Sequence, residues 1–153
     1  MTIVKASDLI NEFGDNSIQV VRVGYFEKQP NLEKDSYQTN LSAFIFPISG
    51  LAKIQFDDEI YVAEPGKVIH GCQNKQISFN VLGNEKFKYI NIYYISYSNC
   101  TNTDYIHSVF EMKIKNYDLV IKSLNNILEI SNKSEITSKL KLQIHINLFL
   151  RKL

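Results

Sequence analysis

Few residues in this chain are placed to do chemistry. Its 3 histidines, His70, His107 and His145, lie far apart, and none has a second His or Cys at ligand spacing. A metal site in a β-barrel draws on two histidines two residues apart on one strand, so that both rings point inward, with a carboxylate nearby. The chain contains no His-x-His, so neither a metal nor another cofactor is expected. No Ser, Cys or Thr sits in a nucleophile motif, and no Gly-rich loop could cradle a phosphate. His70 and Cys72 are two residues apart, which on a strand would aim them to one face as a dyad. The plainer alternative is a small buried thiol beside a histidine whose hydrogen bonds are met.

The aromatic residues carry more information, with 9 Tyr, 9 Phe and no Trp. In the run Phe87 to Ile95, one face shows Phe87, Tyr89, Asn91, Tyr93 and Ile95, and the other Lys88, Ile90, Ile92 and Tyr94. The first face mixes rings with hydroxyls and an amide, the combination a small-molecule pocket uses. Alternation leaves open which face points inward. Phe44 and Phe46 share a face in the same way and would line an opposite wall.

These residues lie on a chain that changes period. From Ile18 to Tyr97 short runs rich in β-branched and aromatic residues alternate with turn signals. The predicted strands are Ile18–Tyr25, Leu41–Ile48, Leu51–Phe56, Glu59–Ala63, Lys67–His70, Gln76–Leu82 and Phe87–Tyr97, with Glu27–Asn40 a polar loop. Pro47 marks an edge or a bulge. Ser49-Gly50, Asp57-Asp58, Glu64-Pro65-Gly66 and Gly83-Asn84-Glu85 are turns. Such a series predicts an antiparallel sandwich or small barrel.

After Tyr105 the spacing lengthens. Tyr117, Val120, Ile121, Leu124, Ile127 and Leu128 predict an amphipathic helix with Asn116 as N-cap, and Ser134 caps a second. The second helix is apolar on two sides: Ile136, Leu140, Ile144 and Leu148 on one, Leu142, Ile146, Phe149, Leu150 and Leu153 on the other. Two apolar sides need two covers, the body of the protein and either a second subunit or more core.

The 153 residues suit one structural unit, read as a β-barrel over 1–106 and a helical segment over 107–153. Residues 1–106 carry 9 basic and 12 acidic side chains, and residues 107–153 carry 8 and 4, for a net +1. That balance excludes bulk electrostatic gripping of nucleic acid or an anionic membrane. The N-terminus lacks the apolar core of a signal peptide, and no apolar run approaches a membrane span, so a soluble cytoplasmic protein is expected, with Cys72 and Cys100 as free thiols.

The ordered set, from Gly50 through the hairpin to Pro65-Gly66-Lys67-Val68-Ile69-His70-Gly71, the Tyr89–Tyr94 strand and two following helices, resembles the cupin-like N-terminal domain of AraC/XylS-type transcriptional regulators. The resemblance implies a mainly β jelly-roll barrel followed by two α-helices, and a non-enzymatic domain that binds a small-molecule effector, a sugar or other metabolite, and forms a homodimer. By position it assigns Phe44, Phe46, His70, Tyr89, Asn91 and Tyr93 to the ligand pocket, and Leu142, Ile146, Phe149 and Leu150 to the dimer interface. The family's DNA-reading helix-turn-helix part has no counterpart before Leu153, so the chain reads as an excised sensor that meets DNA only through a missing domain. The alternative is a stand-alone, metal-independent cupin enzyme of the sugar isomerase or epimerase type, with His70 as acid or base and a Tyr as partner.

Overall fold

A strand with apolar residues on both faces needs cover on both sides, and Ser42–Ser49 is where that need is strongest, with Ser42 through Pro47 all buried. The computed structural model describes residues 1–5, 18–30, 35–96, 107–132, 143–149 and 153. Among these residues nine strands run in order: β1 (Ile18–Lys28), β2 (Asp35–Gln38), β3 (Ser42–Ser49), β4 (Leu51–Phe56), β5 (Glu59–Ala63), β6 (Lys67–Gly71), β7 (Gln76–Leu82), β8 (Phe87–Ser96) and β9 (Phe110–Lys113). The helix α1 (Tyr117–Ser131) follows, and residues 143–149 form a second helical segment.

The strands make two antiparallel sheets, β1-β8-β3-β6-β9 and β2-β7-β4-β5, with the chain crossing between them at each connection from β3 to β8 except the β4–β5 hairpin. This is the expected mainly β jelly roll with C-terminal helices, although the sheets do not close into a barrel. Their edges are stitched by side chains instead. Lys28 bonds Asp35 between β1 and β2. On the far side the Tyr61 hydroxyl donates to the Val109 carbonyl (3.1 Å) and accepts from the Thr2 N–H (3.1 Å).

The five-stranded sheet is covered on both faces. Ile45, Ile69, Phe87 and Tyr89 meet Ile54, Phe56, Tyr61 and Phe79 of the other sheet, while Phe44, Phe46, Ile90, Ile92 and Phe110 meet Leu124, Ile127, Ile146 and Phe149 of the helices. The four-stranded sheet turns its other face to water, as Lys53, Ile60 and Asn80 show.

Several boundaries depart from the sequence reading. β2 lies inside the stretch expected as a loop, and β9 pairs with β6, so the sheet continues past residue 106 into the segment expected to be helical. Pro47 sits in a central strand, and the register against β8 shifts between Pro47 and Ser49, so it marks a bulge and not an edge. The Tyr117 hydroxyl donates to the Pro47 carbonyl there (2.7 Å), tying the first turn of α1 to the sheet. Asn116 does precede α1, but in the left-handed region (φ 56) and with no side-chain cap. Gly50 (φ +85) turns β3 into β4 where a Cβ would stand 2.3 Å from the Lys86 carbonyl oxygen. The expected Ser134 cap falls outside the described residues.

Candidate functional site

Side chains two apart on β8 share a face, and the helices decide which face is which. Ile90, Ile92 and Tyr94 lie under the helices, so Phe87, Tyr89, Asn91 and Tyr93 point into the space between the sheets. Most of that space is filled. Tyr89 stacks on Phe79 (5.5 Å), Phe87 (5.0 Å) and Phe26 (5.5 Å). Burial raises the Tyr89 hydroxyl far above its usual range, so it stays protonated.

A crevice of about 40 Å³ remains beside Asn91 and Tyr93, with Ala43, Ile45, Phe56 and Ile77 as apolar walls and Tyr37 and Thr39 among its polar residues. It is roughly the room of one water molecule. The Asn91 amide nitrogen donates to the Tyr93 hydroxyl oxygen (2.9 Å), while the Asn91 Oδ1 is buried with no hydrogen-bond partner. Flipping the amide only exchanges the orphan, since a carboxamide brings one acceptor and one donor group to this wall. A buried amide oxygen without a donor costs about 1–3 kcal/mol, a cost that a bound donor removes. Among the described residues a second orphaned oxygen is Oε1 of Glu111 on β9, whose Oε2 lies 3.5 Å from the Lys67 Nζ.

Phe44, Phe46 and His70 stand on the opposite face of the sheet, correcting the expectation that they neighbour Tyr89, Asn91 and Tyr93. His70 is wholly buried, stacked on Phe110 (4.7 Å) and against Phe44 (4.9 Å). Its Nδ1–H donates to the Ser108 carbonyl (2.9 Å), which leaves Nε2 to accept from the Tyr94 hydroxyl. Burial lowers its pKa to about 4. An acid or base has to reach its substrate, and this ring reaches neither solvent nor the crevice. Cys72 faces the space between the sheets, so no dyad with His70 forms, and burial raises its thiol pKa. Among the described residues no three His, Cys, Asp or Glu side chains gather as a metal site, and no helix is long and apolar enough to cross a membrane.

The expected pairing residues divide differently. Leu142 and Leu150 lie outside the described residues. Ile146 and Phe149 are buried in the chain's own core, with Phe149 edge-on to Phe46 (5.6 Å). The exposed apolar side is the other one, Ile144 and Leu148, each 50% exposed, with Leu119 of α1 at 64%. Between α1 and the segment 143–149 runs a cleft of about 400 Å³, with Val120, Ile127 and Phe149 among its lining and Leu119 and Leu148 on its two helices.

No protein-family model matches this sequence, and no curated protein matches it either. Solved structures do. An apo ToxT variant from Vibrio cholerae, an AraC-family regulator, aligns over 83% of this chain and 53% of its own at 13% identity, with a TM-score of 0.56. The EutQ protein of Clostridium difficile aligns over 52% of this chain and 69% of its own at 16% identity (TM-score 0.42). A cupin-superfamily protein of Desulfitobacterium hafniense aligns over 52% and 78% at 18% identity (TM-score 0.41). The chain spans about half the length of ToxT. At such identities the likeness is one of fold.

Proposed function

We propose that this chain is the ligand-sensing and dimerising part of an AraC-type transcriptional regulator, with a small-molecule effector entering between the sheets at the Asn91 end. The observation that carries the reading is the Asn91 carboxamide, 3% exposed and with Oδ1 unpartnered beside the crevice. The fold shared with ToxT supports it at the level of architecture. The effector lends a donor to Asn91, and the rest of it replaces solvent around Tyr37 and Tyr93. DNA recognition belongs to a part of the regulator outside this chain.

Replacing Asn91 with leucine separates this role from a packing role. Leucine removes the orphaned amide with the same branching and the same number of heavy atoms, and its bulkier methyl groups enter the crevice, so the unfolding free energy rises or stays level, by at most about 1–3 kcal/mol. Ligand binding is lost all the same. Saturation-transfer NMR against a mixture of sugars, amino acids and small carboxylates reads the second effect. A ligand bound equally by the wild type and Asn91→Leu would place the effector elsewhere.

Pairing is assigned to the exposed helical side, Leu119, Ile144 and Leu148. An apolar surface on two neighbouring helices is what a second copy covers. Leu148→Asp is expected to move a sedimentation profile from dimer to monomer while the thermal midpoint of the monomer stays within a degree or two, on the order of an exposed substitution. A profile unchanged by Leu148→Asp and by Ile144→Asp sinks this assignment.

A further inference from the structure

The proposed effector site has a charged feature at its mouth that narrows the chemistry of what it takes. Arg22 on β1 lies opposite Tyr93 of β8, exposed, with its guanidinium carbon 4.7 Å from the centre of the Tyr93 ring and 5.6 Å from that of Phe26. Asp35 on the neighbouring β2 is already engaged with Lys28. Among the described residues Arg22 pairs with no carboxylate. Cation–π attraction to these two rings holds the exposed guanidinium beside Tyr93, and a guanidinium meets a carboxylate with two parallel hydrogen bonds.

The same Tyr93 ring connects this cation to the crevice. Its face carries Arg22, and its hydroxyl carries the Asn91 amide, whose Oδ1 lacks a donor. The crevice, about 40 Å³, admits only one small group past the mouth. Resting on the reading of this crevice as the effector site, we infer that the effector is a small carboxylate bearing a hydroxyl or amino group. The carboxylate sits on Arg22, the donor enters the crevice to Asn91, and the short carbon chain between them lies against Tyr93 and Tyr37. A neutral sugar meets only half of this arrangement.

The test uses the full 153-residue chain, labelled with nitrogen-15, and defined probes: lactate, β-hydroxybutyrate and γ-hydroxybutyrate, each against the diol of the same carbon skeleton. At least one hydroxycarboxylate is expected to give saturable shifts at both the Asn91 side-chain amide and the Arg22 Nε–H, binding about tenfold or more tightly than its diol. Arg22→Gln, an exposed change that leaves the fold intact by its amide spectrum, is expected to remove that advantage and leave diol binding as it was. If diol and carboxylate bind equally and Arg22→Gln changes neither, the anionic class is wrong while the crevice survives as a site. If no probe moves the Asn91 amide but the carboxylates move Arg22, the guanidinium is an isolated surface cation and the inference falls. If nothing moves either group, both the inference and this use of the crevice fall.

Discussion

Phe149→Ala is expected to lower the unfolding free energy by about 3–5 kcal/mol, the usual loss when a buried phenyl ring is deleted and the cavity only partly collapses. The ring is 6% exposed, meets Phe46 of β3 edge-on at 5.6 Å, and belongs to the same cluster as Leu124, Ile127 and Ile146. Urea unfolding measures the loss, and its dependence on protein concentration decides what the loss means. A residue in the chain's own core loses the same energy at every concentration, whereas one between subunits loses stability that higher concentration restores. The structure predicts that the loss in Phe149→Ala does not depend on concentration, in contrast to Leu148→Asp, which is proposed to act on association. A loss under about 1 kcal/mol, or one that disappears in concentrated samples, would return Phe149 to the intersubunit role that its sequence position suggested.

The burial of Phe149 and the exposure of Leu148 show what a helical pattern does and does not carry. Two apolar sides were readable from spacing, because residues three and four apart share a face. Which side meets the sheet depends on where β3 and β9 present Phe46 and Phe110, contacts set by partners far away in the chain. The strands follow the same rule. β4, β5 and β7 have the bounds that alternation and turn residues predict. β2 escaped because Asp35-Ser-Tyr-Gln has no buried face at all, and its extended form comes from pairing with β7. β9 escaped because it is four residues long and buries Glu111 beside Phe110 and Met112, which blurs any alternation.

The site was half legible for the same reason. Tyr89, Asn91 and Tyr93 were recognisable as one face of β8, and that face does turn inward. Phe44, Phe46 and His70 belong to a sheet covered on both sides, where both faces are apolar and composition gives no sign of which one meets the other sheet. Arg22 was missed altogether. Its only signal is a cation inside a β-branched run, and its meaning comes from Tyr93 on a strand some seventy residues later, about the separation that β1–β8 pairing spans. The register shift between Val20 and Arg22 adds to this, since it alters which residues of β1 share a face.

Acid is expected to unfold this protein earlier than its carboxylates alone would bring about, through His70. The ring is held neutral, with Nδ1–H spent on the Ser108 carbonyl and Nε2 accepting from Tyr94, among the rings of Phe44 and Phe110. A proton on Nε2 would oblige the Tyr94 hydroxyl to turn from donor to acceptor and would carry a charge into a fully buried site. Burial therefore depresses the folded pKa from 6.5 to about 4, with the neighbouring His107 adding to the effect and the Ser108 bond opposing it. Between these two values the unfolded chain binds more protons at this position than the folded one, so stability rises with pH across the window. Its contribution is intact above pH 6.5 and is lost as the pH falls towards about 4, amounting to about 3 kcal/mol at the acid end. Urea unfolding at a series of pH values should show this slope in the wild type. His70→Gln, which keeps an amide N–H for Ser108 and an acceptor for Tyr94, should start from a lower stability and lack the slope, because nothing at that position titrates. Parallel pH profiles for the two proteins would mean that the ring is already charged or already exposed in the folded state, and that the aromatic enclosure around it does not hold.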